Sequence, residues 1–531
     1  MPPAARRLFH RDMRRLHTVL TVTIATVLAA VLVPTAPARA EPVRPRTVAM
    51  TAGDGVTLVG TLVEPTTPGP HPGIVLISPW GTPDAVYLAQ STAFAGRGYV
   101  VLSYTNRGFG ASGGIVSLAG PREVADVSDV LDWLIANTAA DPGRLGVGGV
   151  SYGAGIGLLA AGHDARIRAV VAMSGWADLA ETFYRGGARA FAVLGSVRFF
   201  VEATGRPSPE LTQIFADFFA DRDRQRIVDW TRVRSPITYL DGINANRPAI
   251  FIAQAYGDTF FPPNQMVGLL NRLTGPRRLE LSPGDHGTPE ASGLLGAPNP
   301  LWEDAARWFD QYVAGIPTGI DTEDPVVLRG EPAARVETYP DWAHVAARTD
   351  RYGLGPIRRD DGTGDLVAGT VPEGWRYTIR SGYGTTADAG FVVLTYWFAA
   401  LTGVPPLVWL PTVGRRYAGV WRSAPLEGVT AVRGAVRLRL ETRGQPSGTV
   451  IAYLLDVDPA DIGRLITHEP RTWRDDGGTL DLTFPATRWD LPAGHRLGLV
   501  VDTVDPLYGD EGPKRPRLTF TGPSWLDVPV R

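Results

Sequence analysis

The 531 residues are 44% hydrophobic and 20% charged, enough apolar content to bury the cores of two or three domains and too much for a disordered chain. Basic and acidic residues number 52 and 54, for a formal charge of −2, so no basic surface for nucleic acid is implied. The absence of cysteine excludes disulfides, a thiol nucleophile, zinc–thiolate sites and a lipid anchor on cysteine.

In chain order, residues 1–17 carry five arginines and one acid, residues 18–33 read TVLTVTIATVLAAVLV, and PTAPARA ends in small residues at Ala38 and Ala40. Charge, apolar run and cleavage site in that order predict a signal peptide over 1–40 and a secreted mature protein beginning near Glu41. The apolar run is shorter than the ~20 residues a bilayer span needs, so no stable membrane span is expected after processing. Six of the basic residues and one acid lie in this leader, which leaves the remainder at −7.

From Arg46, TVAMTAGDGVTLVGTLVEP reads as a hairpin turning on Asp54 and Gly55. Short apolar runs then alternate with helical periods. Strands are predicted at 73–78, 99–104, 144–150, 167–173, 248–256 and 277–283. A helix over 122–137 follows Pro121 and aligns Val124, Val127, Leu131 and Leu134 on one face. Strands apolar on both faces and separated by helices predict a mostly parallel sheet covered on both sides. The strand signal stops from about 176 to 246, where segments such as PELTQIFADFFADRDRQRIVDW read as amphipathic helix. This stretch is expected to be a helical cap inserted in a catalytic domain spanning 41–318. A last covering helix is expected over 301–313. From Val326 to Arg531 alternating runs such as AVRLRLETR and GTVIAYLLDV, broken by Gly, Pro and Asp turns, predict a β-sandwich of the jelly-roll kind. The apolar but Pro-broken segment 391–411 is expected to pack against the catalytic domain.

Two serines match G-x-S-x-G: Ser151 between Gly149 and Gly153, and Ser112 between Gly110 and Gly114. Only Ser151 directly follows a buried strand and precedes a helix of small residues, the context of the sharp turn that lifts a nucleophilic serine above a sheet. A serine needs a base and a group that fixes the base's tautomer. Of the six histidines outside the leader, His286 lies in a loop just after strand 277–283. Asp258 ends the preceding strand, so the chain order Ser151, Asp258, His286 is that of this sheet topology. Asp285 is the competing acid. The oxyanion would take the backbone N–H of Tyr152 and a donor from Trp80, backbone or indole. No metal or cofactor is called for.

These residues resemble the cocaine esterase and X-prolyl dipeptidyl aminopeptidase group of α/β-hydrolases. The likeness lies in GVTLVGTLVEP, NRGFGASGG, EVADVSDVLDWL leading to GRLGVGGVSYG, the Asp258 and His286 contexts, and later WRSAPLEGVTAVRG, LLDVDP and AGHRLGL. The resemblance implies an α/β-hydrolase with helical cap and C-terminal jelly roll, with Ser151 as nucleophile, His286 as base and Asp258 as orienting acid. It departs from the group at Trp80, where a Pro-Tyr pair often supplies a tyrosine hydroxyl, and at Thr105, where an aspartate commonly stands. With the hydrolase expected to begin within about ten residues of the predicted mature start, the large N-terminal helical domain of the group's peptidases is not expected, and Gly153 stands where some amino-acid ester hydrolases carry an acid. The expected function is therefore a serine esterase or amide acylase acting on a small-molecule or peptide substrate. An X-Pro dipeptidyl-peptidase and a surface-binding protein with an inactive hydrolase half are the alternatives. The sequence sets no oligomeric state.

Overall fold

The computed structural model describes residues 44–330, 335–390, 392, 404–474, 478–509 and 516–531. The predicted leader over 1–40 lies outside them.

The hairpin appears as the antiparallel strands Arg46–Thr51 and Thr57–Val63, in register from Arg46 opposite Leu62 to Thr51 opposite Thr57. It docks on Val100–Thr105. Beyond that strand the sheet runs parallel through His71–Ile77, Ala140–Val150, Ile167–Met173, Ala249–Ala255, Arg277–Ser282 and Val326–Arg329, and it closes with antiparallel Val336–Tyr339. Alternation along His71–Ile77 shows why both faces must be covered: Val75 and Ile77 join one core, Ile74 and Leu76 the other, and all are buried. Helices Pro121–Asn137 and Tyr152–Ala161 supply side chains to the first core, and Leu88–Gly96 and Pro300–Phe309 to the second.

The insertion between Met173 and Ala249 is helical, as expected, with Phe191–Thr204, Pro209–Phe219 and Arg224–Arg232 as its longest helices. The stretch that reads as one amphipathic period is two helices. Asp221 and Asp223 between them take positive φ, +51° and +49°, a conformation Asp tolerates better than most residues and one no helix continues through.

The strands Val326–Arg329 and Val336–Tyr339, expected to open the second domain, pair onto the edge of the hydrolase sheet. Val326, Val327 and Leu328 are buried opposite Leu279, Glu280 and Leu281. An apolar run of four residues carries no local mark of which sheet it will join. The second sheet starts at Arg348–Leu354 and is all-β from there on. Its core includes Trp421, Leu438, Leu454, Leu499 and Phe520. Of segment 391–411, residues 391 and 393–403 lie outside the described residues; Leu407–Trp409 is a strand at one end of the second sheet's order, paired with Ile462–Trp473.

Candidate active site

Ser151 is the residue between strand Ala140–Val150 and helix Tyr152–Ala161. Its backbone is forced to φ +57°, ψ −113°, a strained conformation for a non-glycine residue, maintained by its surroundings. The surroundings are specific: the Ser151 N–H donates to the Met173 carbonyl at 2.8 Å, and the helix starts so close to the sheet that no side chain fits at its root. A Cβ on Gly149 would stand 2.6 Å from the Gly153 backbone, and one on Gly153 would overlap the Ile77 carbonyl. The glycines of the motif are there for this approach.

Asp258 and His286 follow the next strands at the same carboxyl edge of the sheet. The Ser151 Oγ and His286 Nε2 are 2.8 Å apart. On the other side of the ring, His286 Nδ1 lies 3.2 and 3.1 Å from the two Asp258 oxygens. Asp258 is itself fixed: Gln254 Nε2 donates to it at 2.7 Å, and the Phe260 and Phe261 N–H groups at 2.9 and 2.8 Å. Phe260 stacks on the imidazole at 4.5 Å and Phe261 meets it edge-on at 5.1 Å, so the ring has little freedom to turn. Burial pulls the His286 imidazolium down, but the charge and hydrogen bond of Asp258, then Asp285 and Glu290, outweigh it and hold the pKa above its ordinary value.

Asp285, the competing acid, serves the loop. It accepts the N–H of Thr259 at 2.8 Å and of His286 at 2.6 Å, and the Thr259 hydroxyl at 2.9 Å. Burial and then the nearby Asp258 push its carboxyl up to about 6. Ser112 is equally occupied, its hydroxyl donating to the Thr105 carbonyl at 2.6 Å and accepting the Val59 N–H at 2.9 Å. Arg107 anchors the same loop to Asp126 and Asp54. At Thr105, where the resemblance leads one to expect an aspartate, the hydroxyl donates to Asp84 at 2.7 Å.

The two donors expected of Tyr152 and Trp80 differ in outcome. Tyr152 opens the helix, and neither its backbone N–H nor that of Trp80 has an intramolecular partner among the described residues. The indole N–H of Trp80 is spent, donating to the Val197 carbonyl of the cap at 3.1 Å. Of the donors the sequence offers at Trp80, the backbone N–H is the one without a partner among the described residues. Against Ser151 lies a cavity of about 70 Å³ lined by Trp176, Leu179, Phe183, Leu194, Val197 and Phe261 among others, with no charged side chain. Larger clefts of about 730 and 680 Å³ lie elsewhere, the first along the all-β domain, the second between it and the cap. Neither contains a serine or a histidine, so the geometry at Ser151 and not size locates the chemistry.

Sequence reasoning missed Phe260, Phe261, Gln254 and Ser174, whose Oγ accepts the N–H of Gly287 next to His286 at 3.2 Å. Their contribution comes from contacts across loops, which leave no local signal in the sequence.

A parallel sheet with a serine on a strained strand-to-helix turn, and a histidine and an acid after later strands, defines the class of α/β-hydrolases. Residues 54–288 match the model of the X-Pro dipeptidyl-peptidase (S15 family), and 318–525 that of the X-Pro dipeptidyl-peptidase C-terminal non-catalytic domain. The two matches follow one another along the chain, which is thus similar, in order, to the catalytic and the C-terminal parts of that family. Curated relatives from Bacillus cereus and Bacillus anthracis, provisionally named Xaa-Pro dipeptidyl-peptidases, are 23% identical over 283 residues, 48% of this chain and 47% and 45% of theirs. The chain thus spans about half the length of the curated relatives it matches. Among solved structures, an aminopeptidase from a marine sediment Thaumarchaeota archaeon is 16% identical with TM-score 0.68, over 94% of this chain and 99% of that one. A CocE/NonD family hydrolase from Staphylococcus aureus is 12% identical with TM-score 0.68, over 91% and 92%. At these identities the structural likeness is one of fold.

Proposed function

We propose that this chain is a serine hydrolase that cleaves an ester or amide bond through an acyl-enzyme. His286 Nε2 takes the Ser151 proton as Oγ attacks the carbonyl carbon, and Asp258 holds Nδ1–H and so the tautomer. The oxyanion is received by the backbone N–H groups of Tyr152 and Trp80. His286 then passes its proton to the leaving alcohol or amine, and water, deprotonated by the same imidazole, releases the acid. The observation that carries this reading is the unbroken hydrogen-bond line from Ser151 Oγ through His286 to Asp258.

The cavity beside Ser151 favours an uncharged, apolar acyl group. A dipeptide cleaved after proline would bring a cationic amino terminus, and no carboxylate lines that cavity to receive it. The family models and the Bacillus relatives support the peptidase reading instead, and paired assays on acyl esters and an Ala-Pro anilide separate the two. Export ahead of Glu41 is part of the proposal, on the order of charge, apolar run and cleavage site in residues 1–40.

Ser151→Ala is expected to abolish both turnover and fluorophosphonate labelling, and Asp258→Asn to lower kcat by roughly 10⁴. Turnover persisting in the Ser151 variant would reject the assignment.

A further inference from the structure

Trp80 stands in the turn after strand His71–Ile77, where Thr82 returns its N–H and its hydroxyl to the Pro79 carbonyl at 3.3 and 3.1 Å. Its ring meets Phe109 edge-on at 5.1 Å and Tyr152 at 4.8 Å. From that fixed position its indole N–H crosses to the Val197 carbonyl at 3.1 Å, at the middle of the cap helix Phe191–Thr204. The helix is also tied near both ends. The Ala192 N–H donates to the Leu507 carbonyl of the all-β domain at 3.1 Å, and beyond Thr204 the Arg206 and Ser208 N–H groups donate to the Gly108 and Val116 carbonyls at 2.9 and 2.8 Å. The indole adds a fastening between these ties, over the cavity at Ser151.

Val193, Leu194, Val197 and Phe200 recur at helical spacing and so share one face, and all of them line that cavity. The cap helix is therefore one wall of the space an acyl group would enter, and Trp80 itself is another. The space measures about 70 Å³. An apolar cavity of about 150 Å³ takes up benzene, so the space here suits an acyl chain of about three carbons while the helix stays in place. Phe200 lines the cavity and is still 38% exposed, so solvent and not packed protein lies behind this part of the wall. Its position then depends on how the helix is fastened.

We propose that Trp80 is a specificity-determining residue: its indole, latched to the Val197 carbonyl, holds the cap helix close over Ser151 and restricts the acyl group to short chains. The proposal rests on the acyl-enzyme reading of Ser151 given above and narrows its substrate class to esters or amides of uncharged acyl groups of about two to four carbons. A longer chain has to push the helix outward against the indole hydrogen bond. Because the backbone N–H of the same residue is offered to the oxyanion, the roof of the acyl site and the oxyanion loop are mechanically one unit.

On p-nitrophenyl esters from acetyl to decanoyl, the wild-type protein should lose at least about tenfold in kcat/KM once the chain outgrows the cavity, the discrimination an apolar pocket gives for a methylene or more. Trp80→Phe keeps an aromatic ring against Phe109 and Tyr152 and every backbone donor, and removes the indole N–H alone. The ratio of kcat/KM for the hexanoyl over the propionyl ester should then rise ~3–10-fold, the worth of one hydrogen bond, mainly through a lower KM for the longer ester. An unchanged ratio in the folded variant, or an equal fall at every chain length, overturns the proposal, since a merely structural role would not move selectivity. Val197→Ala keeps the carbonyl and hence the latch but trims the valine methyls from the wall, and should lengthen the preferred chain by about one carbon. It serves as the readout should Trp80→Phe fail to fold. An unchanged preference there, or wild-type protein that cleaves the hexanoyl ester as well as the propionyl one, also overturns the proposal. Wild-type protein that takes no fluorophosphonate at Ser151 would sink the parent reading instead, so the two failures are distinct.

Discussion

At the scale of single residues, the chemistry turns on one imidazole whose two nitrogens have different partners. Nε2 faces Ser151, and Nδ1 faces a carboxylate that also takes two backbone N–H groups and a glutamine amide. Since catalysis needs His286 neutral at the start, and its neighbouring carboxylates outweigh burial to raise its pKa, the loss of activity on acidification should set in above the ordinary imidazole value of 6.5. A profile of kcat/KM for an acyl ester over roughly pH 5 to 9 reads this directly; an acid limb below that ordinary value would contradict the geometry. The order Ser151, Asp258, His286 was legible in the text because each residue ends or follows a recognisable strand. Phe260 and Phe261 were not, because nothing local shows which ring they will pack on.

At the scale of elements, the strand-to-helix unit Ala140–Ala161 depends on contact too close for side chains. Gly153→Ala should cost at least about 2 kcal/mol, because its methyl group meets the rigid Ile77 carbonyl and the helix has to lift off the sheet. Gly157, one turn on, has nothing nearer than 3.7 Å to an added Cβ. Gly157→Ala should therefore be tolerated or gain up to about 1 kcal/mol in helix propensity. Chemical denaturation of the pair, with fluorophosphonate labelling as a check on Ser151, tests both. The period-2 and period-3.6 patterns placed most strands and helices within a few residues of where they stand. They failed at Asp221 and Asp223, where two left-handed residues split one apparent helix, since a polar residue inside an amphipathic period looks like its solvent face.

At the scale of the whole molecule, the all-β domain grips the cap and the hydrolase sheet by polar contacts. The cap's Arg185 is buried against Glu469 at 3.0 Å and the His468 carbonyl at 2.9 Å. Asn264 binds the Phe484 carbonyl and the Ala486 N–H at 2.9 and 2.8 Å, and Glu337 of the hydrolase sheet holds Arg433 and Arg488. Removing one partner of a buried pair leaves the other charge uncompensated, so Arg185→Ala should cost about 3–5 kcal/mol. Thermal unfolding should show it, with part of the loss recovered when Glu469→Gln is added.

By itself the sequence determined the succession of elements, the serine that sits on the strained turn, and the histidine and acid that follow later strands. These are carried by short-range patterns: hydrophobic period, turn residues and the motif's glycines. Only the tertiary structure decided that 326–339 completes the first sheet, that the Trp80 indole belongs to Val197, and that Phe260 and Phe261 pack on the His286 ring. Each of those depends on what a segment meets once the chain has folded back on it, and strand pairing, a spent donor and a ring contact leave no periodic trace in the chain.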